Sequence, residues 1–479
     1  MPRKTAGASV TEGLLAGEET VADASPASPI WRMSDGAAGP LSSPDNDDLY
    51  VGDKEVEAGL APSCCEGAAL WWLRVFAWLL LTVVLPWGVL IPFAAEIDAA
   101  QQQNIGYGAY GLCGVGVLYL LTALVPIVVS AVVIPAPPGG AANRPLHNAD
   151  GQSPRAIKTV AVIVNPTGGL RKGLALYEEA AVVLSTEFNV AVSKLETEYA
   201  GHARVYARTL DLRGIDALCV VGGDGSFHEV VNGMLSRADG AMVPVGLLPG
   251  GSGNSVNRDL GAPDIKEAAR RVARGHVAMV DVNRISTMGK SVLSVNVIGL
   301  GLIGDVGIVA EDFRWMGPGR YDAVGVFAVL KGTASVMSLE AECADGRTLK
   351  MENEPLVTVF VNQTQHFGQG MRAVPDACID DGLMDICMMK QGTRVDKLKI
   401  FNWLPTGGHF GYDKLQFEKV KSVTFKLDAG KGVFNVDGEV LFHDGTIKIE
   451  CVQQCLPLLC PSDVQIAGTA KADSSAAVA

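Results

Sequence analysis

Residues 159–173 read TVAVIVNPTGGLRKG, residues 217–225 read ALCVVGGDG, and residues 245–254 read VGLLPGGSGN. Each stretch is a run of β-branched and aliphatic residues that ends in a glycine-rich turn, the pattern of a buried strand feeding a loop. Between them the apolar spacing changes to a helical period. Strands are expected at Thr159 to Val164, Val190 to Lys194, Ala217 to Val221 and Val245 to Leu248. Helices are expected at Leu174 to Glu187, His202 to Leu212 and Phe227 to Ser236. Strand alternating with helix predicts an α/β domain on a parallel sheet, whose ligands sit beyond the carboxyl ends of the strands.

Three turns occupy those ends: Asn165-Pro166-Thr167-Gly168-Gly169, Gly222-Gly223-Asp224-Gly225 and Pro249-Gly250-Gly251-Ser252-Gly253-Asn254. Glycines let backbone amides approach an anion, and a helix N-terminus adds partial positive charge, so three such loops imply a phosphorylated ligand. No GxxxxGK[ST] occurs, which excludes a P-loop. Gly299 to Gly304 spells GxGxxG, but it lies beyond the α/β run, where the pattern has turned to β, and close chain packing is its expected use. Asp224 is the one acid within the turns. Read alone, it is equally a general base or the anchor of an Asx turn.

Lys and Arg number 39 against 52 Asp and Glu, a net charge of -13, the wrong sign for a protein that neutralises nucleic-acid phosphates. Residues 1–70, rich in Ala, Ser, Pro and acids, are expected to be a disordered tail. Val75 to Ala95 and Ile105 to Ile134 then run 21 and 30 residues without a charge. Each is long enough for a ~30 Å hydrocarbon core at 1.5 Å per residue. Residues 71–135 are therefore expected to form two transmembrane helices. Glu96 and Asp98 lie between the spans, while Arg74 precedes them and Arg144, Arg155 and Lys158 follow, which places both ends in the cytosol. Pro86 and Pro92 would kink the first span or make it re-entrant. Residues 136–155 read as a linker, and 466–479 as a second disordered tail. Cys451, Cys455 and Cys460 have no adjacent His to complete a zinc site.

From 156 to 459 the motifs resemble those of the diacylglycerol kinase catalytic domain shared by diacylglycerol, sphingosine and ceramide kinases. Gly222 to Gly233 (GGDGSFHEVVNG) is similar to that family's GGDG-x-x-x-E-x-x-NG block. Thr197-Glu198 with His202-Ala203 resembles TE-x-x-x-HA, and Asp437-Gly438-Glu439 a late DGE motif. The resemblance implies transfer of the ATP γ-phosphoryl group to a primary hydroxyl of a membrane lipid, with Asp224 as the base that takes the hydroxyl proton. It also implies an α/β nucleotide-binding domain over 156–281 and a lipid-holding β-sandwich over 282–465. ATP would contact Asn165, Pro166, Thr167, Gly168, Gly169, Thr197, Glu198, Gly223, Glu229, Gly251, Ser252, Gly253, Arg314, Arg320, Asp437, Gly438 and Glu439. The lipid would contact Gly222, Gly225 and Asp305. Mg2+ is expected with ATP, its ligands unassigned.

Departures bear on the lipid. Gly307 stands where sphingosine kinases carry the second acid of Asp-x-Asp, which fits ceramide kinases better, whereas Gly253-Asn254 keeps a loop that ceramide kinases tend to lose. Some sphingosine kinases have Arg at the position of Thr167. The expected substrate is a sphingoid lipid, either a long-chain base or a ceramide. The alternatives are diacylglycerol or another acylglycerol, an NAD-kinase-like activity, and a non-catalytic membrane scaffold. In the second domain Asp380 and Asp381 should shape a turn, and Met384, Met388 and Met389 should be core.

Overall fold

The computed structural model describes residues 31–32 and 154–461, apart from 167, 262–263, 304–333, 369 and 428–431. The two apolar runs, both tails apart from 31–32, Thr167, Asp305, Gly307, Arg314 and Arg320 therefore lie outside the described residues. Among the described residues no helix is long and apolar enough to cross a membrane.

A two-residue strand, β1 (Trp31–Arg32), pairs with β5 (Ala241–Met242). The first layer is built on β2 (Thr159–Val164), β3 (Ala191–Glu196), β4 (Ala217–Gly222) and β6 (Val245–Pro249), parallel in the order β3-β2-β4-β6. β4 and β6 are buried along their whole length, as their uninterrupted apolar sequences require. Helices α1 (Gly173–Val182), which continues as a π-helical turn over Val183–Glu187, and α5 (Ile265–Arg274) cover one face. Helices α2 (His202–Thr209) and α3 (Asp224–Leu235) cover the other. A short α4 (Ser255–Asp259) follows the third glycine turn.

The expected parallel sheet is parallel only over those strands. The last strand, β16 (Thr446–Leu459), returns to pair with β6 through Leu458 and Val245, and also runs antiparallel to β7 (Val277–Thr287). Leu456 and Leu458 enter the core of the first layer with Ile163, Leu218 and Leu247. Through β16 the sheet passes into an antiparallel, sandwich-like second unit. It comprises β8 (Lys290–Ser294), β9 (Val297–Gly301), β10 (Ser335–Cys343), β11 (Thr348–Asn362), β12 (Met384–Lys390), β13 (Leu415–Leu427), β14 (Gly432–Val436) and β15 (Glu439–His443). Helix α6 (Arg394–Trp403) lies between β12 and β13 in the chain, started by a capping box in which Thr393 and Asp396 exchange hydrogen bonds.

The GxGxxG stretch is packing. Gly299 and Gly301 belong to β9, where a Cβ on Gly299 would stand 2.2 Å from Ile303 and one on Gly301 2.8 Å from the Val357 carbonyl. The methionines of β12 divide by strand parity. Met384 and Met388 are fully buried in the sandwich core, whereas Cys387 and Met389, on the other face, line a cavity. Asp381 shapes its turn by accepting the Leu383 amide at 3.1 Å.

Candidate active site

Gly223 is extended, so α3 begins at Asp224, a turn earlier than the apolar pattern indicated. This start places Asp224, His228 and Asn232 at i, i+4 and i+8, on one helix face. His228 Nδ1 lies 3.0 Å from Asp437 Oδ2, both side chains fully buried. Asn232 donates to the Leu293 carbonyl and accepts the Leu293 amide, each at 2.9 Å. The two lower residues thus fasten the helix to the second unit. Asp224, at the top, is left in the cleft between the units.

Its carboxylate is held from the first residue of α4, just after the third glycine turn. Ser255 donates its amide to Oδ1 at 2.9 Å and its hydroxyl to Oδ2 at 3.0 Å. Burial in the cleft pushes the Asp224 carboxyl up to about 6; the Ser255 hydrogen bonds oppose this and the negative Asp437 nearby adds to it. One edge still faces the cavity. The second and third turns touch backbone to backbone: a Cβ on Gly251 would lie 2.4 Å from Gly223 Cα. One on Gly253 would lie 2.8 Å from Asp224 Oδ2. Those glycines answer to contact rather than to backbone torsion. Asn side chains close the first and third turns, Asn165 Oδ1 taking the Gly168 amide at 3.1 Å and Asn254 Oδ1 the Gly251 amide at 2.9 Å. Gly168 and Gly251 therefore shape the turns with amides already engaged, while Pro166, Gly169 and Ser252 complete them.

Several residues expected at the nucleotide act otherwise. Asp437 is saturated: Oδ1 accepts the amides of Asn296 and Val297, each at 3.0 Å, and the Ser294 hydroxyl at 2.7 Å, and Oδ2 accepts the Val295 amide at 3.0 Å beside His228. It is a clamp between units. Glu229 is also diverted, capping α2 by accepting the amides of Gly201 and Ala203 at 3.0 and 3.1 Å. Thr197 donates its hydroxyl to the Val164 carbonyl at 3.3 Å, and the Glu198 amide meets His202 Nδ1 at 3.1 Å. These two stand at the strand ends but not on the cavity wall. Glu439 does reach the site, its Oε1 2.9 Å from where a Cβ of Gly225 would stand, with Gly438 on the same wall. Gly222 packs against Ser226 beneath the turn.

A cavity of about 420 Å3 runs from this cleft into the second unit. At its polar end are Asp224, Gly225, Gly251 to Gly253, and Asp437 to Glu439. Beyond them its walls become apolar, with Val357, Phe360, Phe367, Met389, Ile400 and Leu404 among the lining residues. Of these wall residues the sequence singled out only Met389, and that as core; it did not single out Ser255. Among the described residues no three His, Cys, Asp or Glu side chains converge on one point. Glu439, on the cavity wall beside Gly225, is a carboxylate that could serve a Mg2+ taking its remaining ligands from phosphates and water.

Residues 159–285 match the diacylglycerol kinase catalytic domain, and residues 296–460 match the YegS C-terminal NAD kinase beta sandwich-like domain. Together the matches take in more than half of the chain. The chain carries a diacylglycerol kinase catalytic domain followed by a YegS-type C-terminal domain. Among lipid kinases, sphingosine kinase 1 of Arabidopsis thaliana is 29% identical over 349 residues, 62% of this chain and 71% of that protein. Human sphingosine kinase 1 is 28% identical over 342 residues, 61% and 88% of the two chains. Human ceramide kinase is 28% identical over 217 residues, 40% of each. The fold is shared with a crystal structure from Bacillus anthracis that carries a provisional diacylglycerol kinase designation, with TM-score 0.51, 24% identity, and coverage of 65% of this chain and 97% of that one.

Proposed function

We propose that this lipid kinase transfers the γ-phosphoryl group of ATP to the primary hydroxyl of a single-chain sphingoid lipid, with Asp224 as general base. The observation that carries this is the shared cavity, in which one carboxylate stands at the junction of the glycine turns and an apolar hole. A hydroxyl at the cavity's polar end meets a base whose burial has raised its proton affinity. The turns at 165–169 and 251–253 would hold the phosphates, and Tyr199, 58% exposed and stacked on His202 at 4.3 Å, offers a face to the base of the nucleotide. Mg2+, held by Glu439 together with phosphate oxygens and water, would offset charge on the transferring group.

The relatives separate the substrates. The two sphingosine kinases match over 62% and 61% of this chain and ceramide kinase over 40%. That favours a long-chain base over ceramide or diacylglycerol. The test is label transfer from γ-labelled ATP to sphingosine, ceramide and diacylglycerol in parallel mixed micelles. Sphingosine should take the label. Label in diacylglycerol alone, in NAD alone or in no acceptor would contradict the reading.

Filling the hole should shorten the accepted tail. Ala373 is fully buried on the cavity wall, so Ala373→Phe should lower kcat/KM for an eighteen-carbon base by about tenfold or more and spare a short-chain one. The pH profile follows from Asp224. A base must be unprotonated, so kcat/KM should rise through about pH 6 and level off above it, leaving roughly a tenth of the plateau at pH 5.

The apolar runs at 75–95 and 105–134 would anchor the chain with its catalytic units at a cytosolic membrane face, where ATP and the lipid meet. Carbonate extraction of membranes should leave the full-length protein in the pellet; its release would remove the anchor from the account.

A further inference from the structure

Helix α6 has two unlike faces. Lys397, Ile400, Phe401 and Leu404, spaced i, i+3, i+4 and i+7, line the apolar cavity. On the opposite side of the helical turn stand Val395, 52% exposed, and Lys399, with the exposed Arg394 and Lys390 at the helix's leading end. The chain as a whole is acidic, yet residues 390–414 hold five basic residues and two acids, Asp396 and Asp413. Both acids are engaged. Asp396 belongs to the capping box and accepts the Tyr412 hydroxyl at 2.8 Å, and Asp413 pairs with Lys414 at 3.1 Å. The outer face is therefore cationic with one exposed valine, laid directly over the hole in which a lipid tail would lie.

We infer that this outer face of α6 rests on an anionic bilayer surface, so that one helix both touches the membrane and roofs the tail cavity. The inference rests on the lipid kinase reading and specifies which side of the kinase meets the bilayer. Basic residues near an anionic leaflet are drawn to it within a Debye length, and Val395 would enter the headgroup boundary.

The test uses the full chain and sphingosine in two dispersions, phosphatidylserine-phosphatidylcholine vesicles and neutral detergent micelles. Arg394→Glu with Lys399→Glu should lose roughly tenfold or more activity on the vesicles and stay within about twofold on micelles. Equal rates on vesicles would overturn the inference. So would equal losses in both dispersions, which would place the effect in the cavity rather than at the bilayer. A second readout needs no kinase activity: an environment-sensitive fluorophore at Val395→Cys should shift to the blue on anionic vesicles and not on neutral ones. If the wild-type labels no lipid but this shift appears, the kinase reading fails and the docking face stands. A shift that follows protein concentration without vesicles would assign the face to a second copy and overturn the inference.

Discussion

Asp224→Asn should abolish phosphoryl transfer, lowering kcat by about 10^3-fold or more, without unfolding the chain. General bases contribute roughly 10^2 to 10^4 to rates, and among the described residues no other carboxylate stands at both the glycine turns and the cavity with an open edge in the same position. Glu439 lies across Gly225 and cannot replace it without moving that turn. The amide side chain is nearly isosteric and keeps an oxygen for the Ser255 amide. The stability effect has the opposite sign. The folded carboxyl titrates near 6 against 3.8 in an unfolded chain, so its contribution is greatest below pH 3.8 and is lost as pH rises through 6. Asparagine carries no charge to desolvate, so at pH 7 the variant's Tm should equal or exceed that of the wild type. Thermal scans at pH 5 and 7 beside the label-transfer assay check both halves. Activity at the wild-type rate would remove Asp224 as the base.

Asp437→Ala should be the most destabilising single change in the DGE motif, by about 3 to 5 kcal/mol. The change leaves the amides of Val295, Asn296 and Val297, the Ser294 hydroxyl and His228 without their shared acceptor, all in the interior. Residue 437 also sits at φ 53°, a left-handed conformation that Asp tolerates better than Ala. Denaturant titration should show the midpoint fall. If Asp437 instead bound ATP, the variant would keep its stability and lose only affinity for the nucleotide. Asp437→Asn, which keeps acceptors for some of these donors, should lie between the two.

The first layer was legible because buried parallel strands are continuous apolar runs: β2 lies at the expected residues, and β4 and β6 each extend one residue further. The glycine turns were legible too, since close approach of two backbones admits no Cβ. The roles of acids were harder to read. Glu229 and Asp437 were expected at a nucleotide, but both act on backbone amides of other segments, and an amide leaves no mark in a sequence. Helix α6 was missed because Lys397, buried among apolar neighbours, interrupts the helical pattern that Ile400, Phe401 and Leu404 would otherwise announce. The return of β16 was hidden as well, since its early residues alternate as an antiparallel strand would and its last four are continuously buried. That one strand joins the parallel layer to the antiparallel unit within one continuous sheet.

A structure of the full chain with sphingosine and a non-hydrolysable ATP analogue tests the central claim most directly. The account predicts the tail between Phe360, Met389 and Ile400, with the primary hydroxyl within about 3 Å of the Asp224 carboxylate and in line with the γ-phosphate. A headgroup bound away from Asp224, or phosphates seated clear of the turns at 165–169 and 251–253, would contradict it.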